Sequence, residues 1–187
     1  MSEFKQTPSQ TVGPFFAYCL TAEQYAYPFD QVANENLISD ESLPGQRIEI
    51  KGKVYDGNGD VIPDAMIELW QVDPDGRTDN PKFKGLGRVG TGFSKDNSFT
   101  FRTIKPGKVE GQAPHIIAVV FMRGLLTHTY TRIYFSDEAE ANALDSTLNS
   151  VPAERRKTLI AEKQSGTNGY LFDIYMQGES ETVFFDI

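Results

Sequence analysis

From Arg47 the chain alternates. Ile48, Ile50, Gly52 and Val54 are interleaved with Glu49, Lys51 and Lys53, the period-two signature of a strand buried on one face. Asp56-Gly57-Asn58-Gly59-Asp60 reads as the turn that ends it. Residues 65–72 predict a second strand, closed by Asp73-Pro74-Asp75-Gly76, which opens a loop to about Lys84. Phe99 and Phe101 alternate with Thr100 and Arg102 in a further strand, stopped by Pro106-Gly107. Residues 115–122 are apolar and β-branched, as in a central strand. A hairpin-like connection at 123–126 leads into a returning strand over 127–135.

A helical interlude follows. Ser136 is a candidate N-cap with Asp137 and Glu138 behind it, and a second helix is expected from Pro152 through Leu159 and Ile160. Tyr170, Phe172, Ile174 and Met176 then alternate as one strand, and Val183-Phe184-Phe185 as a last one. Many short strands at this spacing predict a mainly β sandwich with short helices. Trp70 and Phe101 are expected in its core. Residues 1–45 show no sustained period; their Phe15, Phe16, Tyr18, Tyr25, Tyr27 and Phe29 suit an irregular arm packed on its own domain or on a partner chain.

Composition narrows the function classes. A formal net charge of −8 disfavours phosphate backbones and anionic membrane surfaces. A single Cys19 allows no intrachain disulfide and reads as a small packing residue. The N-terminus has no signal-peptide shape, and the longest apolar run, 116–122, is too short to span a bilayer. A cytoplasmic protein is expected. No phosphate-cradling glycine loop is present.

Metal binding is the open chemical question. If 115–122 and 127–135 form a hairpin, His115 pairs near Tyr134 and His128 near Val120 or Phe121. The two histidines are then roughly 20 Å apart along the sheet. No single ion bridges that gap, and mononuclear sites need three or four convergent ligands.

Five motifs in order carry a resemblance: Gly52-x-Val54-Tyr55-Asp56-Gly57-x-Gly59, Ile67-Glu68-Leu69-Trp70-Gln71-Val72-Asp73, Phe101-Arg102-Thr103-Ile104-Lys105-Pro106-Gly107, Ala113-Pro114-His115-Ile116 and Thr131-Arg132-Ile133-Tyr134-Phe135. Together they resemble the intradiol ring-cleaving dioxygenases. That family holds ferric iron with two tyrosinates and two histidines. By the same resemblance, Thr78 and Val109 stand where the tyrosines belong, and Ile117 stands for the second histidine. His115 alone keeps its identity. Gln112 stands for a substrate-stabilising arginine, and Arg132 for a glutamine. The resemblance therefore implies a vestigial site at Thr78, Val109, Gln112, His115, Ile117 and Arg132, with no metal held by this chain.

Both termini, Thr7-Pro8-Ser9-Gln10-Thr11-x-Gly13-Pro14-Phe15 at one end and Phe172-Asp173-Ile174, Gln177-Gly178-Glu179 and Glu181-Thr182-Val183-Phe184-Phe185-Asp186 at the other, are similar to the α-type chain of a two-subunit member. This implies a non-catalytic subunit, inactive alone, whose homologous β subunit holds Fe(III). That enzyme cleaves protocatechuate with O2 to 3-carboxy-cis,cis-muconate, in the aromatic-compound route through β-ketoadipate. Residues 1–45 would then be an arm packing on the β subunit, and 46–187 the dioxygenase-like sandwich. Thr11, Gly13, Pro14 and Phe15, together with Arg123, would line the mouth of the β active site. A guanidinium there suits a substrate carboxylate. The alternatives are a stand-alone β-sandwich binding module and a self-sufficient intradiol enzyme.

Overall fold

The structure, a computed structural model, describes Thr11, Gly13, and residues 18–38 and 40–186. Its strands are β1 (Arg47–Tyr55), β2 (Met66–Trp70), β3 (Leu86–Gly90), β4 (Ser98–Ile104), β5 (His115–Phe121), β6 (Thr129–Phe135), β7 (Ile160–Lys163), β8 (Gly169–Leu171) and β9 (Ile174–Tyr175). They lie in the order β3-β2-β5-β6-β7-β8-β1-β4, with β9 also on β1. The sheet curls so that its two ends face each other. Gly87 of β3 has no side chain because Leu37 and the Phe101 ring of β4 occupy that space.

The period-two reading of β1 is correct: Ile48, Ile50, Gly52 and Val54 point inward. They meet Ile67 and Leu69 of β2, Phe99 and Phe101 of β4, Ile116, Ala118 and Val120 of β5, and Ile133 and Phe135 of β6. Each fully buried Ile or Phe contributes about 2 kcal/mol. Gly52 is required because the Phe172 carbonyl and the Phe99 ring fill the place of a Cβ. Two short helices, α1 (Ala139–Leu144) and α2 (Ser146–Ser150), cover a second cluster of Ala113, Tyr134, Leu148, Val151 and Leu159 outside the sheet.

Several expectations are corrected. Strand β3 follows the expected loop in a segment for which the residue pattern predicts no element; it completes the sheet edge by pairing with β2, Leu86 against Trp70. Ser136 does not cap a helix. Its hydroxyl accepts the Lys163 N–H at 2.9 Å, tying the end of β6 to β7, and α1 begins at Ala139 after Glu138. The expected helix at 152–160 shrinks to a 3-10 turn, Arg156–Leu159, because Ile160 must already enter β7 beside Tyr134. The alternation at 170–176 is broken into β8 and β9. Between them the Asp173 carboxylate, accepting the Lys53 N–H at 2.9 Å, replaces a ladder bond. Residues 183–185 make only an isolated bridge, Phe185 with Tyr130.

Phe101 is fully buried, but Trp70 is 47% exposed. It shares strand parity with Glu68, on the face turned away from Ile67 and Leu69. Cys19 is exposed rather than packed. The end of the presumed arm joins the domain: Leu37 and Leu43 enter the main core, and Leu37 N–H donates to the Arg102 carbonyl at 3.0 Å. Among the described residues no helix is long and apolar enough to cross a membrane.

Candidate functional site

Strand register assembles the site. In the β5–β6 hairpin His115 pairs with Tyr134 and Ile117 with Arg132, while Trp70 of β2 flanks Ile117. Because Ile116, Ala118 and Ile133 fill the core, these residues share the opposite face of the sheet. The loop entering β5 folds over this face. Gly107 N–H donates to the Asp73 carbonyl at 2.9 Å, and Gln112 N–H to the Val109 carbonyl at 2.9 Å.

A polar chain then runs inward. Arg132 Nη1 donates to Gln112 Oε1 at 2.7 Å and to the Tyr134 hydroxyl at 3.4 Å. Its guanidinium lies 5.9 Å from the Phe185 ring centroid. The Tyr134 hydroxyl donates to Asp145 Oδ1 at 3.2 Å. Burial pushes that phenol up to about 12, so it stays protonated. Asp145 is fully buried and accepts the N–H groups of Ala113 and Leu148, each at 2.8 Å. It thereby caps α2 and fixes the approach to His115.

His115 is half-buried, and its Nδ1 donates to the Ala113 carbonyl at 2.8 Å. Burial lowers its pKa, and the Arg132 charge lowers it further. Beside this chain lies a cavity of about 370 Å3, lined in part by Lys108, Val109, Gln112 and Leu144.

The structure thus brings together Val109, Gln112, His115, Ile117 and Arg132. Thr78 stays on an exposed loop, next to the Arg77–Asp79 ion pair at 2.9 Å. That loop is anchored by buried Asp73. Burial alone would raise the Asp73 carboxyl, but bonds from the Arg77 and Asp75 backbones and the Asn80 side chain lower it.

These residues do not fit a ferric ion. Val109 and Ile117 offer no donor atom. The phenol on this face, Tyr134, is held protonated, and a guanidinium occupies the same face. Among the described residues no group of three His, Cys, Asp or Glu could hold a metal. His128 is remote, as the register predicts: its ring lies tilted against Phe121, centroids 5.2 Å apart, and contacts the Tyr130 hydroxyl at 2.8 Å.

A second locus forms at the β5–β6 turn. Gly124, at φ +90°, donates its N–H to Thr11 Oγ1 at 3.0 Å, so Thr11 meets the turn that carries Arg123. The Arg123 side chain is 72% exposed and its Nε is paired with the Asp64 carboxylate. Gly13 is exposed with open space around it. Pro14 and Phe15 lie outside the described residues. Tyr18, Tyr25, Tyr27 and Phe29 form a run of touching rings nearer the domain.

Sequence reasoning missed Tyr134 as a site residue, and Asp64 and Asp145 altogether. The Asp145-Ser146-Thr147-Leu148 cap pattern was a usable signal for Asp145. Asp64, in a Pro-Asp turn, gave none.

The fold is that of the intradiol ring-cleavage dioxygenases. The dioxygenase domain of a dioxygenase carbohydrate-binding protein fusion from Streptomyces sp. SirexAA-E superposes with a TM-score of 0.64 at 22% identity, over 95% of this chain and 100% of that one. An intradiol ring-cleavage dioxygenase from Tetranychus urticae gives 0.61 at 19% identity, over 80% of this chain and 88% of that one.

Sequence similarity goes further. The chain is 47% identical to the protocatechuate 3,4-dioxygenase alpha chain of Burkholderia cepacia, over 100% of both chains. It is 40% identical to the alpha chain of that name from Pseudomonas putida, over 97% of this chain and 96% of that one. The protocatechuate 3,4-dioxygenase beta chain of Burkholderia cepacia is 28% identical, over 83% of this chain and 74% of that one. No family model matches the chain. The chain belongs to the protocatechuate 3,4-dioxygenase alpha-chain family.

Proposed function

We propose that this chain is the non-catalytic α subunit of a cytoplasmic protocatechuate 3,4-dioxygenase, with Fe(III) held by a homologous β subunit. The overall reaction opens the ring between the two hydroxyl-bearing carbons. Both atoms of O2 end in the product, 3-carboxy-cis,cis-muconate. One observation carries the reading: on the face where the resemblance places ligands, Val109 and Ile117 have no donor atoms and Arg132 brings a positive charge. In this reading His115 is a structural histidine, spent on the Ala113 carbonyl.

The α subunit contributes position and selectivity. Residues 1–45 supply an arm that packs on β, and the segment Thr11 to Phe15 lies at the mouth of the β active site beside Arg123. The Thr11–Gly124 bond supports this pairing of arm and turn. Arg123 recognises the carboxylate of protocatechuate, for which a guanidinium is well shaped.

The test is reconstitution. The chain purified alone is expected to be colourless, iron-free and inactive. Co-expressed with its β partner it is expected to form a coloured, active complex, since ferric tyrosinate absorbs visible light. Iron near one per chain and ring cleavage by the lone chain would overturn the assignment.

A further inference from the structure

Among the described residues the side chain of Arg123 is anchored at one edge only. Its Nε pairs with the Asp64 carboxylate, and no other acceptor among the described residues takes its terminal nitrogens. An exposed ion pair is ordinarily weak. This one has an added reason to persist. Asp64 Oδ1 is buried without a hydrogen-bond partner, so the carboxylate draws its compensation through Oδ2. The turn below is held as well: Gly124 N–H is tied to Thr11 Oγ1, and Leu125 N–H closes on the Met122 carbonyl at 3.4 Å. On the other side, the Asp64 charge raises the Tyr25 phenol, after burial, which places that ring of the arm near the same carboxylate.

We propose that Asp64 is a positioning residue for substrate selection. It holds Arg123 by Nε so that the two-nitrogen Nη edge faces outward, preset for bidentate capture of an aromatic substrate's carboxylate. Ordering the long side chain beforehand lowers the entropy lost on binding. The inference rests on the reading of Arg123 as the carboxylate contact.

The experiment uses the co-expressed αβ complex and compares protocatechuate with uncharged catechol. Asp64→Asn is expected to lower the preference for protocatechuate, as the ratio of kcat/KM values, by about threefold, the scale of an exposed ion pair. The loss should lie in KM rather than kcat. Asp64→Glu should recover part of it. In an Arg123→Ala background, Asp64→Asn should change nothing further, a non-additivity that a merely structural role would not produce. A protocatechuate KM that is unchanged or lower in Asp64→Asn, while Arg123→Ala raises it, overturns the positioning role and leaves the Arg123 reading intact. An Arg123→Ala complex that loses protocatechuate and catechol turnover equally overturns both.

Discussion

Arg132 Nη1 donates to Gln112 Oε1 at 2.7 Å, on the outer face of the β5–β6 hairpin. Among the described residues the half-buried guanidinium is matched there by a neutral amide, a phenol and an aromatic ring rather than by a carboxylate within ion-pair distance. On the function proposed above, the ligand positions are refilled by this network rather than simply emptied.

This replacement can be tested by reversal. Val109→Tyr and Ile117→His together, beside the native His115, are expected to bind little iron while Arg132 remains. Adding Arg132→Gln is expected to raise iron content by about tenfold or more, because a fixed cation beside a trivalent ion is strongly repulsive at partly buried sites. Metal analysis and visible absorption of the purified variants read the result. Equal iron loading with and without Arg132 would remove the charge from the explanation.

Asp145 is the structural anchor of the same region. Asp145→Ala strands the Ala113 and Leu148 N–H groups and the Tyr134 hydroxyl, and should cost about 3 kcal/mol. Asp145→Asn keeps one acceptor and should cost less. Urea unfolding of the purified chain measures both. A loss within error of zero for Asp145→Ala would mean that water replaces the carboxylate.

Acid sensitivity is predicted from Asp137. Burial raises its carboxyl, but bonds from Lys163, Lys105 and Tyr170 outweigh this and bring it from 3.8 to about 2. Its folded pKa is depressed, so its stabilisation is present above the unfolded value and is lost as pH falls from about 4 through about 2. With solvent screening, about 1 kcal/mol is at stake. Asp137→Asn should flatten the stability curve in that window and leave its shape near neutrality unchanged, as read by thermal unfolding across pH.

Gly52 tests the packing of β1. Gly52→Ala drives a methyl into the Phe172 carbonyl and the Phe99 ring, and should cost at least about 3 kcal/mol or prevent folding. Gly59→Ala, at a turn with open space but φ +84°, serves as a comparison and should cost about 1 kcal/mol. Equal thermal midpoints for the two variants would contradict the close approach.

Much of the fold was legible where side-chain period and burial coincide. Alternation located β1 and β4, and β-branched apolar runs located the β5–β6 hairpin, including the opposition of His115 to Tyr134. It failed where the backbone is satisfied by something other than its own strand. Asp173 interrupts β8 and β9 with a side-chain bond, and Ser136 spends its hydroxyl on β7. Trp70 misled because size and apolar character suggested burial, while strand parity set it on the outer face.

Residue type alone decides what Val109, Ile117 and Thr78 can offer: their side chains carry neither an anionic nor an imidazole ligand at any position in space, so a linear string suffices to read that. Which groups fill the gap is a question of distance. Arg132 is 20 residues from Gln112 in the chain, and Arg123 is far from Asp64, so only strand pairing and loop closure bring each pair into contact. Hydrogen bonds and ion pairs act over a few ångströms, and chain separation says nothing about which groups fall within that reach.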